Sequence, residues 1–365
     1  MLDQPSKQAS RPLLAVTMGD PAGVGPETIV GAWESSQFHL ACRAVVLGHP
    51  GVIERAANRR GNRVRVVEVE SPEDATGEDI SVVPCIACCS DAALTVPPAT
   101  IDPRGGRAAV ESLDLAIELA LAGRVSGITT APIHKAALRS GGFSQPGHTE
   151  LLAERCGVDD VAMMLYLSRS RRAKGRIGLG VVHVTLHNAL RDVFRSLNIE
   201  TIGRRIRQAN EISQTLLRYH GITSSPSIAV AALNPHGGEM GLFGDEESTT
   251  IGPAVELCQA EKIGVNGPFP VDTLMVRAAE GEFDNVVAMY HDQGHIALKL
   301  LGMYQAVNVT LGLPIVRTSV AHGTAFDLAW QGQANCSGMV EAVRVAALLS
   351  QARTVTTPSL EGQLS

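Results

Sequence analysis

Short apolar runs alternate with longer amphipathic segments along most of the chain. Strands are predicted for the apolar runs, at 12–18, 44–48, 64–67, 127–130, 177–186, 228–233, 286–289, 306–310 and 315–319. Helices are predicted for the amphipathic segments, which begin near 26 and cover 52–62, 106–123, 151–156, 199–219 and 339–353. Strands that alternate with helices tend to pair in parallel, so the pattern predicts an α/β fold.

The segments between these elements differ in composition. Residues 71–104 are rich in Pro, Asp and Thr, which predicts a surface loop. The prolines at 267–272 predict a fixed loop that presents Asp272. Residues 168–176 carry five basic side chains between two apolar runs, as expected of a solvated hairpin tip. The turn at 19–27 matches no nucleotide-binding glycine motif, and we expect it to present Asp20 and Glu27.

Length and charge narrow the classes of protein that are expected. A chain of 365 residues predicts two domains. The net charge of −6 argues against a nucleic-acid partner, and no apolar run reaches the roughly 18–20 residues that span a bilayer. Residues 1–11 are polar and lack the apolar core of a signal peptide. We therefore expect a disordered lead-in and a cytoplasmic protein without a membrane partner.

Three histidines follow apolar strands, in the order His187, His236 and His291. Ligands of open α/β sheets bind outside the carboxyl ends of the strands. Neutral imidazole is the commonest metal ligand, and three such ligands leave coordination positions open for catalysis. The pattern predicts a catalytic divalent metal site.

Other polar side chains suggest a small anionic substrate and proton transfer. The candidate contacts to an anion are His148, Thr149, Lys299, Asn308 and Arg317. The candidates for proton transfer are Asp272, Asp292 and Lys299. Metal-assisted hydride loss from an alcohol would need a nicotinamide acceptor. A metal-dependent phosphatase or other hydrolase fits the spacing equally well, and a catalytically silent sugar-acid binding protein is a third alternative.

Several longer motifs are similar to those of the 4-hydroxythreonine-4-phosphate dehydrogenase family, from about residue 12 to residue 350. They are Met18-Gly19-Asp20-Pro21-Ala22-Gly23-Val24-Gly25-Pro26-Glu27, Gly147-His148-Thr149-Glu150, Leu233-Asn234-Pro235-His236, Tyr290-His291-Asp292-Gln293-Gly294 and Arg317-Thr318-Ser319. The resemblance implies the fold of isocitrate and isopropylmalate dehydrogenases, in which two α/β domains flank a cleft, rather than a Rossmann fold. It also implies a homodimer with active sites at the subunit interface.

The resemblance implies how the chain divides into domains and which residues contact the metal, the substrate and the cofactor. One domain would comprise 12–150 and 300–355 and carry most cofactor contacts. The other, 151–299, would carry the metal site and the dimer contacts, and 356–365 would be a tail. The metal ligands would be His187, His236 and His291, holding Zn, Mg, Co or Mn, and the substrate contacts would be His148, Thr149, Lys299, Asn308 and Arg317. The cofactor contacts would be His322, Gly323, Thr324 and Ala325.

The reaction that the resemblance implies is oxidation of a phosphorylated hydroxy acid by NAD or NADP, followed by decarboxylation of the β-keto acid. The segments 242–247 and 293–296 are more similar to a branch that acts on 4-phospho-D-threonate or 4-phospho-D-erythronate. The segment 183–187 is similar to the terephthalate dihydrodiol dehydrogenases, an alternative that acts on an aromatic dicarboxylate diol. Ala321 stands where many relatives carry Asp, which bears on the choice between NAD and NADP.

Overall fold

The computed structural model of the chain describes residues 11–61, 63–145 and 147–356. The predicted lead-in, apart from Arg11, and the predicted tail, apart from position 356, lie outside the described residues. The chain forms two compact units. Of the described residues, unit 1 contains those up to His148 together with Ile315–Arg317 and His322–Ser350. Unit 2 contains Thr149–Pro314, Thr318–Ala321 and the described residues from Gln351 onward. Among the described residues, every helix is too short or too polar to span a bilayer.

Parallel strands form the sheet of unit 1. They are β1 (Leu13–Thr17), β2 (Arg43–Gly48), β3 (Arg65–Glu68), β4 (Val82–Ala87) and β5 (Gly127–Thr130). Their order is β3-β4-β2-β1-β5, and each neighbouring pair is parallel. Every residue of β1 and β5 is buried, which explains why these strands are continuous apolar or small-residue runs in the sequence.

The helices of unit 1 begin with residues that suit a helix start. They are α1 (Gly25–Trp33), α2 (Ser36–Ala41), α3 (Pro50–Arg60), α4 (Pro103–Leu121) and α5 (Lys135–Ser140), together with the first part of α12 (Ser337–Thr356). Proline lies in the first turn of α1, α3 and α4, where an amide proton would have no partner within the helix. The Asp102 carboxylate caps α4 by accepting a hydrogen bond from the Arg104 amide at 2.8 Å.

Unit 2 has a mixed sheet. Its strands are β6 (Ala162–Leu167), β7 (Leu179–His183), β8 (Ile228–Ala231), β9 (Val265–Phe269), β10 (Asn285–Ala288), β11 (Val307–Leu311) and most of β12 (Arg317–Val320). The order is β12-β11-β6-β7-β10-β8-β9. Pairs from β12 to β7 are antiparallel, and pairs from β7 to β9 are parallel. The carboxyl ends of β7, β10 and β8 therefore lie at one edge of the sheet.

The helices of unit 2 lie before and between these strands along the chain. They are α6 (His148–Cys156), α7 (Leu190–Ser196), α8 (Ile199–Tyr219), α9 (Gly252–Ala260), α10 (Val271–Ala279) and α11 (His291–Gly302). Asn198 is the N-cap of α8, because its side chain accepts a hydrogen bond from the Thr201 amide at 2.8 Å. A 3-10 segment, Pro235–Gly241, follows β8, and a π-helical turn, Glu247–Ile251, precedes α9.

Two hairpins connect antiparallel strands. Strands β11 and β12, which correspond to the strands predicted at 306–310 and 315–319, pair antiparallel. The basic segment at 168–176 connects the antiparallel strands β6 and β7, as predicted. Two of its basic side chains form ion pairs with neighbouring carboxylates, Lys174 with Glu280 and Arg176 with Asp284.

Two predicted loops are wrong in part. The segment 71–104 contains β4, which pairs with β2 and β3 and buries Val83 and Cys85. The segment 267–272 ends β9 and begins α10, so Asp272 lies in the first turn of a helix. Residues 300–314, which the sequence assigned to the domain of 12–150, cluster with unit 2 because β11 pairs with β6.

Candidate active site

Histidine side chains gather at the carboxyl ends of β7 and β10 in unit 2. His183 is the last residue of β7 and pairs with Ala288 at the end of β10. His291 begins α11, and its ring stacks on that of His295 with the centroids 3.8 Å apart. The His187 ring lies 6.3 Å from that of His291, centroid to centroid. Two of the three predicted metal ligands are therefore near each other within one chain.

His183 and His295 form a buried pair behind these rings. Their Nε2 and Nδ1 atoms are 3.2 Å apart, and their exposed fractions are 1% and 7%. Burial, together with the neighbouring imidazoles, lowers the pKa of His183 to about 3 and that of His295 to about 4. A side chain at Gly294 would clash with this pair, because a Cβ there would lie 2.5 Å from His183 Nε2.

His295 was not among the site residues predicted from the sequence. Its position could have identified it, because it lies four residues after His291 and four before Lys299. This spacing places all three side chains on one face of α11. Lys299 itself is half-buried on this face. The predicted substrate contact Lys299 and the predicted metal ligand His291 are thus presented by one helix.

His236 lies on a separate segment of unit 2. It follows β8 in the 3-10 segment Pro235–Gly241 and has a φ of 55°. The Glu247 carboxylate anchors this segment by accepting hydrogen bonds from the amides of Leu233 and Asn234 at 2.8 and 2.7 Å. Glu247, at the end of the acidic run 244–247, therefore fixes the backbone that leads to His236.

One chain does not assemble the predicted three-histidine site. Within the described ranges, no group of three or more His, Cys, Asp or Glu side chains is placed to hold a metal ion. The donor chemistry of His187 and His291 suits a metal, but His236 does not join them in the same chain. The three-histidine metal site therefore stays a prediction.

The predicted proton-transfer carboxylates have different surroundings. Asp292 Oδ1 lies 2.7 Å from His291 Nδ1, so Nδ1–H donates to the carboxylate and Nε2 is left for another ligand. Asp272 is exposed and accepts a hydrogen bond from the Thr273 amide. Among the described residues, no hydrogen bond or ion pair connects Asp272 with His236 or His291.

Unit 1 contains a buried cation beside a neutral imidazole. The Arg317 guanidinium is 4% exposed and donates a hydrogen bond from Nη2 to the Thr130 hydroxyl at 2.7 Å. Burial lowers the pKa of Arg317 to about 9, so it remains charged at neutral pH. Burial, and then the Arg317 charge, hold the pKa of His148 well below its usual value. A charged donor and a neutral imidazole together suit a bound anion.

The remaining predicted substrate contacts lie in unit 2. The Asn308 side chain on β11 donates a hydrogen bond to the Val320 carbonyl at 3.4 Å. Its buried Oδ1 has no hydrogen-bond partner in the part of the chain that the structure describes. Thr149 lies inside α6, which begins at His148, so Thr149 is not the N-cap of that helix.

The predicted cofactor segment is anchored within unit 1. The Thr324 carbonyl accepts a hydrogen bond from the Val24 amide at 3.0 Å, and Ala325 has a φ of 42°. His322 and Gly323 are exposed. The segment therefore contacts the glycine-rich turn at 19–27 and leaves its first two residues accessible.

The glycine-rich turn does not present its carboxylates to solvent as predicted. Glu27 is fully buried and accepts hydrogen bonds from the amides of Trp330 and Gly332 at 2.5 and 2.6 Å. Asp20 is 1% exposed, and burial raises its pKa to about 6. Glu27 thus has a structural role that joins the turn to a segment about three hundred residues later.

Comparison with known proteins gives similarities over most of the chain. The model of the family described as pyridoxal phosphate biosynthetic protein PdxA matches residues 40–346. A 4-hydroxythreonine-4-phosphate dehydrogenase from Desulforapulum autotrophicum is 42% identical over 93% of this chain and 96% of its own length. A D-threonate 4-phosphate dehydrogenase from Pectobacterium atrosepticum is 43% identical over 93% of this chain and 99% of its own.

A solved structure is similar over the same extent. The crystal structure of a 4-hydroxythreonine-4-phosphate dehydrogenase from Klebsiella pneumoniae matches with a TM-score of 0.81 and 39% identity. The match covers 93% of this chain and 99% of that one.

Proposed function

Because the chain belongs to the family of pyridoxal phosphate biosynthetic protein PdxA, we propose that it oxidises a small phosphorylated hydroxy acid with a nicotinamide cofactor. The resemblance seen in the motifs is confirmed, and so are the α/β fold and the class, an oxidoreductase that acts on a hydroxyl group. The substrate is proposed to be 4-phosphohydroxy-L-threonine, 4-phospho-D-threonate or 4-phospho-D-erythronate. Decarboxylation of the resulting β-keto acid would follow.

The observation that carries the proposal is the buried Arg317 guanidinium. The Thr130 hydroxyl orients the guanidinium. A planar guanidinium presents paired donors that match the oxygens of a phosphate or carboxylate of the substrate. The other proposed substrate contacts are His148, Thr149, Lys299 and Asn308.

The proposed metal ligands are His187, His236 and His291. A bound divalent ion, Zn, Mg, Co or Mn, would supply Lewis acidity that stabilises negative charge on the substrate oxygen. Asp292 supports this assignment by accepting the Nδ1 proton of His291, which fixes the ring and directs Nε2 outward. Since one chain leaves the donor set incomplete, we propose a homodimer with active sites at the subunit interface.

The chain's own residues then have distinct tasks. Lys299, with Asp272 and Asp292 as the other candidates, would accept the alcohol proton while the hydride leaves the carbon for the nicotinamide. After loss of carbon dioxide, the same group would return a proton to the enolate carbon. Residues 322–325 would contact the cofactor, NAD or NADP. The enzyme is proposed to work in the cytoplasm.

The test is a turnover panel. Purified protein with each candidate metal, each of the three phosphorylated acids and NAD⁺ or NADP⁺ should produce absorbance from reduced nicotinamide. An aromatic cis-dihydrodiol dicarboxylate belongs in the same panel. Turnover that survives exhaustive chelation with EDTA would contradict the metal assignment, and release of inorganic phosphate without a nicotinamide would favour a hydrolase instead.

A further inference from the structure

A surface cavity in unit 1 lies outside the residues assigned so far. Its volume is about 410 Å³, and it is lined by Lys135, Ala136, Arg139 and Ser140 of α5. Lys135 and Arg139 are four residues apart, so their side chains share one face of the helix. The cavity therefore carries two positive charges on one wall.

These two charges are not neutralised within the described chain. Both side chains are exposed, and neither makes a hydrogen bond or ion pair with another described residue. Other basic side chains of unit 1 do pair: Arg104 with Asp102, and Arg124 with Glu73. Like charges at a spacing of four residues repel. An anion in the cavity would remove this repulsion.

The cavity adjoins the segment proposed to hold the cofactor. The His134 ring, directly before Lys135, stacks on Phe326 with the centroids 4.7 Å apart and the planes at 18°. His134 Nδ1 also accepts a hydrogen bond from the Ala136 amide at 3.2 Å, which fixes the ring at the start of α5. Phe326 directly follows residues 322–325. This stack places the start of α5, with Lys135 as its first residue, near the end of that segment.

We propose that the cavity at Lys135 and Arg139 binds a phosphate group of the nicotinamide cofactor. The inference rests on the proposed function, because it takes residues 322–325 as cofactor contacts. Arginine can donate two parallel hydrogen bonds to a phosphate, and lysine adds a compact charge. The phosphate is either the ribose 2′-phosphate, which only NADP has, or the pyrophosphate that NAD and NADP share.

The test is equilibrium binding of reduced cofactors without metal or substrate. Wild type and the double variant Lys135→Met/Arg139→Met are titrated with NADPH and with NADH, followed by nicotinamide fluorescence. The control is Arg63→Met, which removes one exposed positive charge of unit 1 that does not line the cavity. Losing two charge-assisted hydrogen bonds should raise the Kd for NADPH at least about tenfold, while the control binds as wild type does.

The pattern of losses identifies the phosphate. Weaker binding of NADPH alone indicates the 2′-phosphate, and weaker binding of both cofactors indicates the pyrophosphate. Arg139→Lys, which keeps the charge but not the two parallel donors, should fall between wild type and the double variant. Unchanged binding of both cofactors by the double variant, with an unchanged thermal midpoint, overturns the proposal and leaves the proposed function standing. If wild type binds neither cofactor, the proposed function fails together with this inference.

Discussion

The Arg317 guanidinium is the group on which the proposed substrate recognition depends. Its burial and its hydrogen bond to Thr130 hold it in one orientation. A planar guanidinium can bind a phosphate or carboxylate through two donors, whereas an ammonium offers a single point charge. The proposed recognition is therefore sensitive to geometry as well as to charge.

Arg317→Lys tests that sensitivity. We expect kcat/KM for the phosphorylated acid to fall by about a hundredfold, because one charge-assisted hydrogen bond is worth about 1.5–3 kcal/mol. Thr130→Val, which only removes the orienting hydroxyl, should have a smaller effect in the same steady-state assay. An Arg317→Lys enzyme with wild-type kcat/KM would show that Arg317 does not contact the substrate.

His183 predicts how stability depends on pH. Its pKa is about 3 in the folded chain and near the ordinary histidine value of 6.5 in the unfolded chain. The unfolded state therefore takes up a proton, as pH falls below 6.5, that the folded state refuses. Stability from this residue is fully present above that pH and is lost toward lower pH, by about 1.4 kcal/mol per pH unit.

The measurement is urea unfolding, followed by circular dichroism, of wild type and His183→Gln at several values from pH 7 down to about 5. The stability difference between the two proteins should shift in favour of the variant as pH falls. His322→Gln, at an exposed position, should keep the pH dependence of wild type. A constant difference between wild type and His183→Gln would show that His183 is not held neutral by burial.

At the scale of elements, Gln293 holds α11 against the sheet of unit 2. Its Oε1 accepts a hydrogen bond from the Met289 amide, and its Nε2 donates one to the Ala232 carbonyl, both at 2.8 Å. The side chain thus joins the ends of β10 and β8, the strands that lead to His291 and His236. The glutamine of the Tyr290-to-Gly294 motif is structural, and it fixes where α11 starts.

Gln293→Leu should lower the free energy of unfolding by about 2–4 kcal/mol, because two buried backbone groups lose their partners. Gln214→Leu, on the exposed face of α8, should change it by less than about 0.5 kcal/mol. Urea unfolding of both variants makes the comparison. Equal stability of the two variants would mean that water replaces the Gln293 side chain.

Helices and strands could be predicted from the sequence where the local pattern of apolar and polar residues matches the burial of those residues in the folded protein. Strand β10 is one continuous apolar run, and Asn198 sits directly before an amphipathic segment, so both were predictable. Strand β4 was missed because Pro84 and Cys85 interrupt its run of aliphatic residues. The segment becomes a strand because it pairs with β2 and β3. The composition of 71–104 contained no information on those partners.

The candidate site, too, could be predicted from the sequence only in part. His291 and Lys299 could be selected because polar residues after apolar runs are conspicuous, and His295 could have been found from helical spacing. The burial of Glu27 could not be predicted from the sequence, since its hydrogen-bond partners are backbone amides near residue 330. Any sequence pattern at Glu27 is that of an ordinary acidic residue in a first helical turn.

For the whole molecule, the proposed metal site predicts that one chain is not a complete enzyme. His187 and His291 are close within a chain, whereas no described three-ligand group includes His236. If His291 serves the site of the neighbouring subunit, His236→Ala and His291→Ala should each be inactive alone. Mixed dimers of the two would retain one intact site.

Refolding the two variants together at equal amounts should therefore restore about a quarter of wild-type turnover, since about half of the dimers are mixed and each has one intact site. The controls are each variant refolded alone, and size-exclusion chromatography that checks dimer formation. If the mixture stays inactive although dimers form, all the ligands must come from the same chain.

The central claim is hydride transfer from a phosphorylated hydroxy acid to a nicotinamide. It is tested most directly with 4-phospho-D-threonate or 4-phosphohydroxy-L-threonine that carries deuterium on the carbon to be oxidised. After turnover with metal and NAD⁺ or NADP⁺, mass spectrometry of the reduced cofactor should find one deuterium per molecule. Consumption of the substrate with free phosphate as product and no deuterium in the cofactor would contradict the claim.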